Sequence, residues 1–139
     1  MAGDRSKLET QVLTPEGEVF RGELVQLSTR TAVGEVGILA RHAPMVARLV
    51  PTELRLHVSE TETRRYAQGE GWLEVFANQA RVLIAEAIPP EELDAGELRE
   101  RLDDAQRRVA EATEGSATYE RAQGEQRRFE TFLEIAEQK

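Results

Sequence analysis

"IPPEELD", residues 88–94, decides how the chain divides. Pro89 and Pro90 have no backbone N–H to give a ladder, so no central strand runs through them. Before them, apolar residues recur at every second position; after them, at every third or fourth. "LRLHV" at residues 54–58 sets Leu54, Leu56 and Val58 on one face and Arg55 and His57 on the other. "LETQVL", "ELVQLS", "GWLEVF" and "RVLIAEA" read as further strands. Turn signals separate them at Pro15 with Gly17, Gly22, Gly34 with Gly37, Pro51, Gly69 with Gly71, and Asn78. Short strands with one apolar face each bury those faces by stacking two sheets, so residues 1–89 are expected to form an antiparallel β-sandwich.

From residue 90 on, Glu, Arg, Ala and Leu dominate, all good helix formers. Asp94 with Glu97 three residues later is a capping-box-like start, a cap that contributes about 1 kcal/mol. Leu98, Leu102, Ala105, Val109 and Ala112 then form one helical stripe. "EGSAT" interrupts it, with Gly115 as an expected C-cap and Ser116 as an expected N-cap. A second stripe runs Tyr119, Ala122, Gln126, Phe129, Leu133, Ala136. Residues 90–139 are therefore expected to form an antiparallel helical hairpin. Its stripes are narrow and rich in Ala, and Gly124 costs about 1 kcal/mol relative to Ala, so the hairpin is expected to be marginal by itself.

The chemistry the chain lacks narrows its function. A formal net charge of −8 disfavours nucleic acid and anionic lipid as direct partners. There is no Cys, which removes disulfides, thiolate zinc sites and Cys nucleophiles. The start "MAGDRSKLE" shows no apolar secretory region, and no apolar run approaches the ~20 residues of a membrane span, so no direct membrane insertion is expected. "GEG" at residues 69–71 is too short for a dinucleotide fingerprint, and no phosphate-binding loop is present. His42 and His57, the two histidines, stand in no spacing that gathers carboxylates around a metal. No nucleophile has the context of a catalytic site, so neither an enzyme nor a cofactor is expected. The residues alone describe a two-part protein that binds other proteins. A free-standing adaptor or chaperone-like module with a helical arm fits that description as well.

Motifs taken in order are more specific. "GEVGILARHAP", residues 34–44, resembles the "GE(I/L)GILPGHAP" signature of the epsilon subunits of F-type ATP synthases. "VLTPEGEVFRGE" at residues 12–23 resembles that family's first hairpin. "YAQGEGWLEVFANQARVLIAEA" at residues 66–87 resembles its "YAVxGGFLEVxxNxVTVLAxxA" strands, and "ELDAGELRERLDDAQRRVAEA" its first C-terminal helix. The resemblance covers nearly the whole chain, with the change from strands to helices in the right place.

The resemblance implies a ten-stranded sandwich, a helical hairpin and a rotor subunit of the central stalk that performs no chemistry. The sandwich would dock on the gamma subunit and the c-ring. The hairpin would fold down, or extend to the catalytic beta and alpha subunits and block ATP hydrolysis. The chain would lie at the cytoplasmic face of the membrane or its organellar equivalent, held there by the complex. Glu35 matches the family's acidic contact to the ring, and Gly37, Arg41, His42 and Pro44 fall in the same region. Read by itself, the stretch is a turn with Gly for positive φ and Pro44 for rigidity. Ala40-Arg41 stands where the family commonly has Pro-Gly, which leaves the turn less preset and adds a positive charge.

Inhibition would use basic residues, here Arg107 and Arg108 on the first helix and Arg121, Arg127 and Arg128 on the second. Local pairs such as Arg108 with Asp104 or Glu111, and Arg121 with Glu125, compete for them. An exposed pair contributes only about 0.2–1 kcal/mol, and residues 91–139 hold more acids than bases, so weak or moderate inhibition is expected. Some relatives bind ATP through an "I/L-D-x-x-R-A" motif. Here Leu93 and Asp94 match it, Glu97 replaces its Arg, and Arg128 keeps one basic position of the second helix while Phe132 takes the next. An acid beside polyphosphate repels it, so no strong ATP binding is expected.

Overall fold

The computed structural model of the chain describes residues 6–138. The reading of "MAGDRSKLE" falls largely on residues 1–5, which lie outside the described residues. Two compact units divide at Ile88 and Pro89.

The first unit holds ten strands: β1 Leu8–Thr14, β2 Gly17–Leu24, β3 Gln26–Thr31, β4 Gly34–Ile38, β5 Met45–Leu49, β6 Thr52–His57, β7 Thr63–Gln68, β8 Gly71–Phe76, β9 Gln79–Ile84 and β10 Ala87–Ile88. They hydrogen-bond in the order β10-β7-β6-β3-β5-β8-β9-β1-β2, with β4 on the other edge of β3. All pairs are antiparallel except β1 with β9. Strand β3 is the seam: β6 pairs with its start, and β5 reaches its end only through Thr31 and Leu49. The sheet folds over there into a sandwich. Leu8, Val12, Leu24, Leu73 and Val82 from one layer meet Leu27, Ile38, Leu54 and Leu56 from the other in one core. Each buried Leu or Val contributes about 1.5–3 kcal/mol relative to an exposed one.

Two expected strands are broken. "ELVQLS" joins the end of β2 to the start of β3, because the Val25 N–H leaves the β1 ladder and donates to the His57 carbonyl at 2.8 Å. "RVLIAEA" bends after Ile84: Ala85 N donates to Glu70 O at 2.9 Å, and Gly69 N to Glu86 O at 3.0 Å. The chain then pairs with β7 as β10. Gly37 is not a turn residue but sits inside β4, opposite Ser28.

The second unit holds a 3-10 turn at Pro90–Glu92 and two helices packed together, α1 Ala95–Glu111 and α2 Ala117–Glu137. Asp94 and Ser116 are the N-caps, accepting from Glu97 N at 3.2 Å and Tyr119 N at 3.1 Å. Ala112 rather than Gly115 is the C-cap of α1; Gly115, at φ +84°, shapes the turn that follows. Leu98 and Ala105 are buried on α1, as are Ala122, Phe129 and Ala136 on α2. Phe132 and Ile135 are buried too, outside the expected stripe. Among the described residues no helix is long and apolar enough to cross a membrane.

Candidate functional site

Residues 34–44 do not form a single loop. The first half is β4, hairpinned onto β3 through a turn at Ala32 and Val33. Thr31 holds that turn: its hydroxyl donates to Gly34 O at 3.0 Å and accepts from Val33 N at 3.2 Å. Val33 at the tip is 99% exposed. Glu35 lies across the ladder from Arg30, whose guanidinium donates to its carboxylate at 3.0 Å. Arg30 escaped the sequence reading, although opposite charges placed symmetrically about a two-residue turn are a usable signal. A Cβ on Gly37 would lie 2.7 Å from Gln26 Nε2, so the missing side chain makes room for Gln26. A shallow depression of about 370 Å³ is lined by Gln26, Ser28, Glu35 and Gly37, together with Glu53 and Arg55 of β6.

The second half is a tight turn. His42 N donates to Leu39 O at 3.2 Å, with Arg41 at the third position and φ +62°. A type II turn prefers Gly there, and a side chain at that φ costs about 1–2 kcal/mol. Asn78 compensates from the β8–β9 turn: its Oδ1 accepts from Arg41 N at 2.7 Å, and its Nδ2 donates to Lys7 O at 3.0 Å. One amide thus ties together three segments remote in sequence. His42 Nδ1 donates to Ala43 O at 2.7 Å, and Pro44 is exposed before β5. On the outer face of the β5–β8 pair, Val46, Trp72 and Phe76 are 70%, 52% and 69% exposed. Val46 pairs with Glu74, between Trp72 and Phe76, so the three share one face.

The outer face of β3, β6 and β7 is polar. His57 bridges Ser28 at 3.2 Å and Thr63 at 3.1 Å. Glu53 accepts from Arg55 at 2.6 Å and from Arg65 at 2.5 Å, with only 10% of its side chain exposed. Burial alone would raise its carboxyl pKa; the hydrogen bonds and charges of Arg65 and Arg55 outweigh it and hold the pKa below the ordinary 4.5. A depressed folded pKa contributes stability above the unfolded pKa, and that contribution fades as pH falls through the folded value. Glu53→Gln is therefore expected to melt below the parent at pH 7, by about 1 kcal/mol, since both arginines are half in water. The gap should narrow as pH falls below 4.5 and close once pH has passed below the lowered folded value. A gap that stayed constant from pH 7 to pH 3 would show that the charge of Glu53 does not matter.

The two helices hold the other candidate residues. Asp104 accepts from Arg107 at 2.7 Å and from Arg108 at 2.9 Å, and those bonds lower its pKa. Arg108 also reaches Glu125 on α2 at 2.5 Å, a partner that Arg121 was expected to take; Glu125 first, then Asp104, raises the Arg108 pKa. Arg99 and Glu137 make a second bond between the helices at 2.8 Å. Arg128 stacks over the Phe129 ring at 4.7 Å. Among the described residues, no hydrogen bond or ion pair engages the guanidinium of Arg121 or Arg127. Of the degenerate nucleotide motif, Leu93 is buried, Asp94 caps α1, and Glu97 pairs with Arg101 at 2.7 Å. Among the described residues no three His, Asp or Glu side chains gather to hold a metal.

Residues 7–90 match the family model described as ATP synthase, Delta/Epsilon chain, beta-sandwich domain. The chain is 35% identical to the ATP synthase epsilon chain of Persephonella marina, over 91% of its own length and 93% of the relative's. It is 33% identical to that of Halalkalibacterium halodurans, over 93% and 96%. A chain in the cryo-EM structure of the Euglena gracilis mitochondrial ATP synthase (OSCP, F1 and c-ring) has the same fold, with a TM-score of 0.82. It is 23% identical, over 97% of this chain and 84% of that one. With its sandwich matched throughout and curated relatives matched almost end to end, this chain belongs to the family of ATP synthase epsilon chains.

Proposed function

We propose that the chain is a non-catalytic central-stalk subunit of an F-type ATP synthase. Its sandwich couples the catalytic head to the c-ring, and its hairpin modulates ATP hydrolysis. Family membership supports the assembly, and one observation carries the docking: Val46, Trp72 and Phe76 share an exposed face of an otherwise well-packed sandwich. A contiguous exposed apolar strip marks a surface that another protein covers. This reading gives that strip to the gamma subunit and the charged strip from Glu35 to His42 to the polar loops of the c-ring. The chain is peripheral, held at the cytoplasmic face or its organellar equivalent through the complex.

The hairpin is assigned a weak brake through the beta and alpha subunits. Arg107 and Arg108 are already paired within the hairpin, and Phe129 and Phe132 are buried, which leaves Arg121 and Arg127 for a partner. Two exposed ion pairs contribute about 1 kcal/mol together, roughly a fivefold effect. No nucleotide is assigned to α1, since Asp94 is committed to its cap and Glu97 repels polyphosphate.

The test compares the full chain with one ending at Pro89, each added to the catalytic head with gamma. Gel filtration is expected to show both bound, with hydrolysis about fivefold slower under the full chain alone, and calorimetry no millimolar ATP binding to the free chain. Equal rates with both forms bound would remove the brake and leave the coupling role. Failure of both to bind would overturn the assembly reading.

A further inference from the structure

Two ion pairs that join α1 to α2 lie on opposite flanks of the seam. Arg99 bonds Glu137 at 2.8 Å toward the end away from the turn, and Arg108 bonds Glu125 at 2.5 Å nearer the turn. Nine residues of helix make two and a half turns, which sets Arg99 and Arg108 about 180° apart around α1. The stripe of Leu98, Leu102, Ala105 and Val109 runs between them, and only Leu98 and Ala105 of it are buried. Charged pairs that flank an apolar seam set which helices stay together and in what register. Beside a seam this thin, they carry a larger share of closure. Arg108 uses two sides of one guanidinium: Nε donates to Asp104 at 2.9 Å, and Nη2 to Glu125 at 2.5 Å. The bond to Asp104 lies within α1 and survives opening. The bond to Glu125 exists only while the helices are closed, so it favours the closed hairpin. Of the two carboxylates, Glu125 raises the Arg108 pKa more. An ammonium lacks the planar fork that holds both carboxylates at once.

We propose that Arg108 is the latch of the hairpin: its bond to Glu125 keeps α2 on α1, and so restrains the brake instead of forming part of it. This rests on the reading of the hairpin as a brake that works when extended, and adds what keeps it disengaged. The role is opposite to that of an inhibitory contact. Removing a latch deepens inhibition, whereas removing a contact relieves it. Salt screens an exposed pair, so ionic strength opens the latch as well.

Amide exchange is measured in the full chain carrying Arg108→Ala, Glu125→Ala, both or neither, and each chain is also added to the catalytic head with gamma. At low salt, either single variant is expected to exchange about threefold faster than the parent in α1 and α2, with β1 and β9 unchanged. The double variant should exchange no faster than the singles, because all three lose the same bond. About 0.5 M NaCl should remove most of the difference from the parent. Arg108→Ala is expected to slow hydrolysis about threefold beyond the parent chain. Exchange factors that multiply in the double variant would show the two residues uncoupled and overturn the latch. Hydrolysis as fast as with an inhibiting parent, or faster, would overturn the restraint, and the faster result would make Arg108 an inhibitory contact. A parent chain that binds without inhibiting would remove the brake reading, and with it the restraint, while the exchange factors would still decide whether Arg108 and Glu125 hold the helices closed.

Discussion

Gly71→Ala is expected to lower the melting temperature of the sandwich by more than about 12 °C, corresponding to at least about 3 kcal/mol. Gly71 opens β8, with Leu49 on one side and Ile84 on the other. Its φ lies outside the left-handed region, so space rather than conformation requires glycine. A Cβ would sit 1.8 Å from Leu83 O and 2.7 Å from Ile84 Cα. Both atoms are backbone of the neighbouring strand, so relief requires moving β9 itself. Overpacking against side chains alone typically costs 1–3 kcal/mol, and a shift of the central ladder exceeds that. Against a typical total stability of about 5–15 kcal/mol, much of the margin disappears. Gly22→Ala is the control: its nearest obstacle is the Phe20 ring at 3.1 Å, which can turn away. Circular dichroism melts of the full chain would decide, and a shift of under 3 °C for Gly71→Ala would refute the packing argument.

The same glycine shows where the sequence could be read and where it could not. "GEG" at residues 69–71 was legible as a turn signal, but its close approach to residues 83–86 is a tertiary fact that no local pattern encodes. What could be read was local: alternation along β6 and β8, the proline break, the caps at Asp94 and Ser116, and the helical stripes. Where the chain changes partners without a breaker, local reading failed, as at Val25 and Ala85. The parallel pairing of β1 with β9 was invisible because alternation is the same in parallel and antiparallel strands. In the candidate site, Glu35, Gly37, Arg41, His42 and Pro44 came from a motif, whereas their supports did not. Asn78 was legible as a turn residue, but its bonds to Arg41 and Lys7 span 37 and 71 residues. Likewise Arg108 with Asp104 is a helical i,i+4 pair open to sequence reading, while Arg108 with Glu125 needs the hairpin closed.

Gln68→Leu is expected to destabilise the sandwich by about 2–4 kcal/mol although it makes a buried residue more apolar. Strand β3 pairs with β6 at residues 26–28 and then with β5 at Thr31, where Arg30 O accepts from Val50 N at 3.2 Å, so Thr29 falls between the two pairings, where the two layers part. Gln68, on β7, is fully buried and reaches into that gap. Its Oε1 accepts from the Thr29 hydroxyl at 2.6 Å, and its Nε2 donates to Val50 O at 2.8 Å. The amide thus ties β3 and the segment after β5 to β7 where β3 changes partners. Leucine would strand a hydroxyl and a carbonyl away from water, each worth about 1–3 kcal/mol, against a smaller apolar gain. Thr29→Val combined with Gln68→Leu should recover part of the loss, because both ends of one bond are then gone; Val50 O stays orphaned, so recovery is incomplete. Val36 of β4 lies opposite Thr29, so loosening β3 loosens the hairpin that presents Glu35. Amide exchange in β4 should accelerate in Gln68→Leu more than in β9, which the network does not touch. A Gln68→Leu chain as stable as its parent, or uniform exchange across both strands, would mean that the ladder alone holds the seam and that Gln68 only fills space there.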